Sequence, residues 1–192
     1  RPNRGERLTD EDTVWYYTTK RFNRGQFQVI GGEPPGGSSP YPRIEARHPE
    51  NTRKGSWGSI KHDIYILYEG RILLCEAKDH PNKTTDDVDR LNDAVSSTLW
   101  AGALWDAMDQ RGLINKWDLP QRSEFIANRH DLLRKALVIP PGTDFEPPED
   151  FVLIETDDYQ TTVRDGDDFP DDDMLEALEE HMEEYGQMTS FR

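Results

Sequence analysis

The sequence predicts an α/β protein in which helices flank a central mixed β-sheet. Two apolar runs, Asp63–Tyr68 and Arg71–Lys78, are rich in Ile, Leu and Tyr and are separated by the dipeptide Glu69-Gly70. A glycine at this place supplies the positive φ of a tight turn, so the two runs are predicted to form a β-hairpin. Helical patterns precede and follow the hairpin, and two later apolar runs, 136–140 and 151–155, are predicted to extend the sheet.

The region before the hairpin begins with a lead-in over residues 1–8 that shows no regular pattern. Thr9 can cap a helix over 10–23, because acidic residues follow it in the first turn. Residues 26–30 are predicted to form a short strand. The following segment contains too much Gly, Pro and Ser for regular structure, and loops of this length inside a compact domain are usually functional or disordered.

This long loop, residues 31–61, is called the basic loop here because cationic and aromatic residues alternate along it. Such a mixture suits a loop that follows a phosphate backbone and stacks on bases. A solvated surface loop is the alternative explanation. The residues predicted to bind nucleic acid are Arg43, Arg47, Arg53, Lys54, Trp57 and Lys61.

The region after the hairpin reads as helices followed by strands. An apolar stripe at helical spacing predicts one helix over 85–110, and a second helix is predicted over 123–135 with Arg129, His130 and Arg134 facing outward. The chain then turns acidic from Asp165, and a short amphipathic helix is predicted near its end. We expect one domain over 1–164 and an acidic C-terminal tail over 165–192.

Charge is distributed unevenly along the chain. The formal net charge is -15, but residues 144–192 alone carry -16 and residues 1–143 carry +1. The acidic tail is expected either to dock on the basic loop as a mimic of DNA or to bind a protein partner. The single cysteine, Cys75, excludes an internal disulfide framework, and no apolar run approaches the roughly 20 residues of a membrane span. A soluble cytoplasmic protein with no membrane partner is therefore expected.

The hairpin register brings two carboxylates together. If Glu69-Gly70 is a two-residue loop, Leu67 faces Ile72 and, at the far end of the hairpin, Asp63 faces Glu76. Like charges at directly opposed positions are destabilising, so a cation is expected between them. Lys78 lies two residues beyond Glu76 on the same face, and a divalent metal held by both carboxylates would supply further positive charge.

Asp63, followed after twelve residues by Glu76-Ala77-Lys78, resembles the core motif of the PD-(D/E)xK nucleases, the restriction-endonuclease-like superfamily. The resemblance covers roughly residues 9–139, and His62 stands where the family name has proline. It implies a restriction-endonuclease-like core and a catalytic site formed by Asp63, Glu76 and Lys78. Mg²⁺ or Mn²⁺ would be held by the two carboxylates and the carbonyl of Ala77.

The helix-then-strand opening is similar to that of archaeal Holliday-junction resolvases, in which a helix-borne glutamate joins the metal site. Glu11 is the matching position, and it also suits ordinary stabilisation of the helix dipole. Glu45 in the basic loop is a second candidate for this ligand.

The resemblance implies a nuclease that acts on DNA, of restriction, defence, repair or recombination type, associated with the nucleoid; a homodimer is left open. An exposed charge cluster at a frayed hairpin end is the alternative explanation of the motif. The rival functions are a catalytically silent nucleic-acid-binding module and an acidic protein-interaction module.

Overall fold

The computed structural model describes residues 10–34, 36–47, 59–170 and 172–189, and within them a mixed six-stranded sheet has the order β1-β4-β5-β6-β7-β8. The neighbours β5, β6 and β7 run parallel, and the remaining pairs of this sheet are antiparallel. The elements, in chain order, are α1 (Asp10–Arg21), β1 (Phe27–Gly32), β2 (Ala46–Arg47), β3 (Ser59–Ile60), β4 (Ile64–Tyr68), β5 (Arg71–Ala77), α2 (Thr85–Ser96), α3 (Thr98–Gln110), α4 (Leu113–Lys116), α5 (Arg122–Ala127), α6 (Arg129–Leu132), β6 (Leu133–Ile139), β7 (Phe151–Thr156), β8 (Thr161–Asp165) and α7 (Met174–Thr189).

The predicted hairpin is confirmed in its strands, its turn and its register. Strands β4 and β5 pair antiparallel with Tyr68 opposite Arg71 and Ile64 opposite Cys75. The two turn residues both have positive φ, 46° at Glu69 and 78° at Gly70, which matches the right-handed twist of the flanking strands. The prediction succeeded because turn length and strand period together leave only one register.

Helices cover both faces of the sheet, so the α/β class with a central mixed sheet is confirmed. On one face α2, α3, α4 and α5 bury Tyr65, Leu67, Ile72 and Leu74 of the hairpin. On the other face α1 and α7 cover Ile64, Ile66, Leu73 and Cys75. Strands covered on both sides read as continuous apolar runs, which is why the hairpin stood out in the sequence. Within the described residues, no helix is both long and apolar enough to cross a membrane.

Several element boundaries differ from the sequence prediction. The helix predicted over 85–110 is two helices, because Ser97 is extended and its side chain caps α3 by accepting from the N–H of Trp100. The helix predicted over 123–135 gives way to strand at Leu133. Arg134 therefore lies inside β6 and is only 5% exposed, not outward as predicted. The short pair β2 and β3 and the polar edge strand β8 were not predicted.

The described part of the acidic tail packs against the chain's own core. Met174 and Leu178 of α7 are fully buried. The Arg134 guanidinium donates to the Asp172 carboxylate, and Arg71 Nη1 lies 3.0 Å from Asp173 Oδ1. Arg71 is next to the hairpin turn, so these contacts lie toward the end of the sheet opposite to Asp63 and Glu76. Docking there differs from the predicted docking on the basic loop.

Candidate active site at the end of the hairpin

Asp63 and Glu76 meet where the hairpin strands end, and they are called the carboxylate pair here. The N–H of Asp63 donates to the carbonyl of Cys75 at 3.1 Å, so the antiparallel register continues one residue beyond β4. Asp63 Oδ2 accepts a hydrogen bond from the N–H of Ala77 at 2.8 Å. The indole of Trp15 in α1 donates to the carbonyl of Asp63 at 2.8 Å, which fixes the backbone from the other face. After burial, each carboxyl group acts on the pKa of the other, so the two groups are close neighbours.

Glu76 is buried and Asp63 is half-buried, and this removal from water decides the protonation of the pair. Glu76 is 4% exposed, and burial raises its pKa to about 8. Burial, followed by the charge of Glu76, raises the pKa of Asp63 well above its usual range. Two neighbouring carboxylates that are largely removed from water repel each other and lack the hydration that would stabilise their charges. The pair therefore retains a proton near neutral pH unless another positive charge takes the proton's place.

His62 contacts the carboxylate pair directly. The sequence shows that His62 precedes Asp63 but does not indicate this contact. Its Nδ1 lies 2.7 Å from Glu76 Oε1, and its side chain is 1% exposed. Burial lowers the pKa of His62 to about 4, so the ring is neutral at neutral pH. A neutral ring has one donor and one acceptor nitrogen, so Nδ1 donates to Glu76 when that carboxyl is ionised and accepts from it when Glu76 holds the proton. Nε2 has no hydrogen-bond partner among the described residues.

Lys78 and Asp87 complete the group of charges on this face of the sheet. Lys78 Nζ lies 3.6 Å from Asp87 Oδ2, and its charge lowers the pKa of both members of the carboxylate pair against the larger effect of burial. Asp87 is 2% exposed, and burial raises its pKa to about 6. Arg90, one helical turn later, also acts electrostatically on Glu76 and Asp87.

Asp87 was missed as a site residue because its position suits the first turn of a helix, where acids are common. One signal in the sequence could have identified it. Asp87 occupies the same helical stripe as Leu91 and Ala94, which are buried, so the apolar face of α2 begins with a carboxylate.

The donor set fits a hard divalent cation. Mg²⁺ is commonly bound by one or two carboxylates and otherwise keeps its waters. The N–H of Lys78 donates to Val138 of β6, whereas the N–H of Ala77 points the opposite way, to Asp63. The carbonyl of Ala77 lies on the same side of the strand as its N–H, so it faces the carboxylate pair. Among the described residues no group of three or more His, Cys, Asp or Glu side chains is arranged to hold a metal.

Two further acidic residues, Glu11 and Glu45, are predicted as ligands, and their recorded interactions are with basic side chains. Glu11 is in the first turn of α1, which packs on the opposite face of the sheet. Its charge acts on Lys83, where it adds to the effect of the Asp79 hydrogen bond in raising the pKa of the lysine. Glu45 Oε2 forms an ion pair with Arg43 Nη2 at 2.9 Å.

The basic loop is described only in part. Arg43 and Lys61 both approach the Glu33 carboxylate, at 3.1 and 3.3 Å. Arg47 is exposed at the end of β2. The predicted residues Arg53, Lys54 and Trp57 lie outside the described part of the chain.

Comparisons with protein-family models, with curated proteins and with solved structures find no match to this chain.

Proposed function

We propose that this chain is a divalent-metal-dependent nuclease that hydrolyses phosphodiester bonds in DNA, acting as an endonuclease of restriction, defence, repair or recombination type. The observation that supports the proposal is the carboxylate pair, in which Glu76 is buried and Asp63 is half-buried, with Lys78 beside it. Burying such a pair costs several kcal/mol unless a positive charge compensates it. Costly groups of this kind cluster at functional sites.

The carboxylate pair and the carbonyl of Ala77 would hold the cation. Bound Mg²⁺ or Mn²⁺ would act as a Lewis acid on a phosphate oxygen and lower the pKa of a water molecule. Asp63 is held in place for this role by the backbone N–H of Ala77, and Glu76 is held by His62. Because His62 is neutral, it orients Glu76 without competing for its negative charge.

Lys78 would serve the phosphate and the attacking water. Its side chain is 30% exposed, so a substrate can reach it, while the Glu76 side chain is only 5% exposed. A fixed positive charge at this place offsets the negative charge that develops on the phosphate, and a lysine at hydrogen-bond distance can orient the water.

Contact with the nucleic acid is assigned to the basic loop. Ala46 and Arg47 of β2 pair with Ile60 and Ser59 of β3. The chain continues from β3 directly into Lys61, His62 and Asp63, so Arg47 lies beside the strand that leads to the carboxylate pair. DNA is preferred over RNA by the family resemblance alone.

A cleavage assay tests this function. Purified protein is incubated with duplex, single-stranded and junction DNA and with RNA, in Mg²⁺, in Mn²⁺ and in EDTA. We expect cleavage of at least one DNA substrate with either metal and none in EDTA. Cleavage that persists in EDTA would refute the mechanism. Binding without cleavage on all substrates would favour the silent nucleic-acid-binding module, and neither binding nor cleavage would favour the acidic interaction module.

A further inference from the structure

Asp87 is a buried carboxylate that the proposed mechanism does not yet use. It lies in the first turn of α2, where a negative charge complements the helix dipole. Its neighbour Asp86 is in the same turn and exposed, so it can stabilise the dipole while remaining hydrated. Asp87 instead points into the protein and is 2% exposed. Burial of a second acid in one helical turn calls for a role other than helix stabilisation.

The contact that Asp87 makes is with Lys78. Lys78 Nζ lies 3.6 Å from Asp87 Oδ2, which is close enough for an ion pair but longer than a normal hydrogen bond. Asp87 Oδ2 has no hydrogen-bond partner among the described residues. Against the larger effect of burial, the charge of Lys78, and after it that of Arg90, lowers the pKa of Asp87. Contacts of this kind in a protein without substrate often tighten when the substrate is bound.

We propose that Asp87 is the positioning residue for Lys78, holding the ammonium group beside the carboxylate pair and toward the phosphate. Lysine has a flexible four-carbon stem, and without a fixed partner its charge would be spread over many rotamers. Asp87 lies on helix α2, and its negative charge limits the rotamers that Lys78 adopts. The lysine side chain remains exposed enough to contact a substrate. The inference rests on the proposed nuclease function for its catalytic consequence, but the contact itself does not.

The catalytic test uses Asp87→Asn, which keeps the shape of the side chain and removes its charge, with Asp86→Asn as the matched control. Misplacing a catalytic group by about 1 Å can cost on the order of 10²-fold in rate. We expect kcat to fall about 10- to 100-fold in Asp87→Asn, with KM and Mn²⁺ affinity nearly unchanged, and Asp86→Asn to behave as the parent. Equal kcat in the parent and both variants would overturn the role. A parallel loss of Mn²⁺ affinity would also overturn it, because Asp87 would then be acting as a metal ligand.

A second test does not depend on cleavage. The thermal midpoints of the parent, Lys78→Ala, Asp87→Asn and the double variant are measured in EDTA. Residues in contact show non-additive effects, whereas independent residues add. We expect the midpoint shift of the double variant to differ from the sum of the single shifts, and Asp86→Asn to add independently to Lys78→Ala. Additive shifts for Asp87 would overturn the contact. If the parent cleaves no substrate, the nuclease proposal and the catalytic role of Asp87 fail together, and this cycle still judges the contact.

Discussion

Glu76→Gln is expected to stabilise the metal-free protein at alkaline pH while removing its metal site. Folding raises the pKa of Glu76 from 4.5 to about 8, so between these values the folded chain binds a proton that the unfolded chain has lost. Stability is therefore highest below the unfolded pKa and decreases as the pH rises toward the folded pKa. Each pH unit in this window is worth about 1.4 kcal/mol, less near its upper end. Between pH 6 and pH 8 the parent should lose about 2 kcal/mol that Glu76→Gln does not lose.

The assay is urea unfolding in EDTA at pH 6 and pH 8. His62, with its pKa lowered to about 4, contributes in the opposite direction, and Asp87, with its pKa raised to about 6, contributes in the same direction, but both are present in both proteins. The pKa of Asp63 is raised by burial and then by the charge of Glu76, so removing that charge in Glu76→Gln reduces the pH dependence further. Glu124→Gln is the matched control, because Glu124 is exposed on α5 and should change nothing. Parallel losses of stability in the parent and Glu76→Gln between pH 6 and pH 8 would refute the reasoning that burial holds a proton on the pair.

Three further outcomes are expected. Lys78→Ala should reduce cleavage by at least about 10²-fold. Folding and Mn²⁺ affinity should remain, because lysine is not a metal ligand, and calorimetry showing the same loss of metal affinity as in Asp63→Asn would contradict this. Arg47→Ala should weaken binding to any duplex and lower the magnitude of the salt slope of binding by about 1, whereas an unchanged slope in a salt titration would remove Arg47 from the interface. Leu178→Ala should lower the free energy of unfolding by about 2–5 kcal/mol in urea, because the side chain is fully buried; an unchanged value would mean that α7 is not docked.

The parts of the site that the sequence could predict are those fixed by short-range geometry. A two-residue turn and a two-residue strand period determine that Asp63 approaches Glu76 and that Lys78 shares the face of Glu76. Asp87 could not be placed in this way, because its contact depends on how α2 packs across the sheet. His62 likewise became part of the site through a ring orientation that the chain order does not specify.

The parts of the fold that were mispredicted likewise lack a short-range signal in the sequence. Strand β8 is a half-exposed edge strand with polar residues, so it lacks the apolar alternation that identifies a strand. Arg134 was predicted to face outward because arginine is rarely buried, but the Asp172 carboxylate of the tail satisfies it within β6. The amphipathic pattern of the tail predicts a buried apolar stripe, in agreement with the burial of Met174, but it does not indicate this long-range ion pair.

The measurement that tests the account most directly is calorimetric titration of the protein with Mn²⁺ at pH 7, in buffers of different ionisation enthalpy. Metal binding to protonated ligands releases protons, and the carboxylate pair is expected to hold one. We expect one Mn²⁺ to bind per chain with release of about one proton, and we expect both to be abolished in Asp63→Asn and retained in Glu124→Gln. Undetectable binding by the parent, or equal Mn²⁺ affinity in the parent and Asp63→Asn, would contradict the claim that Asp63 and Glu76 form a metal site.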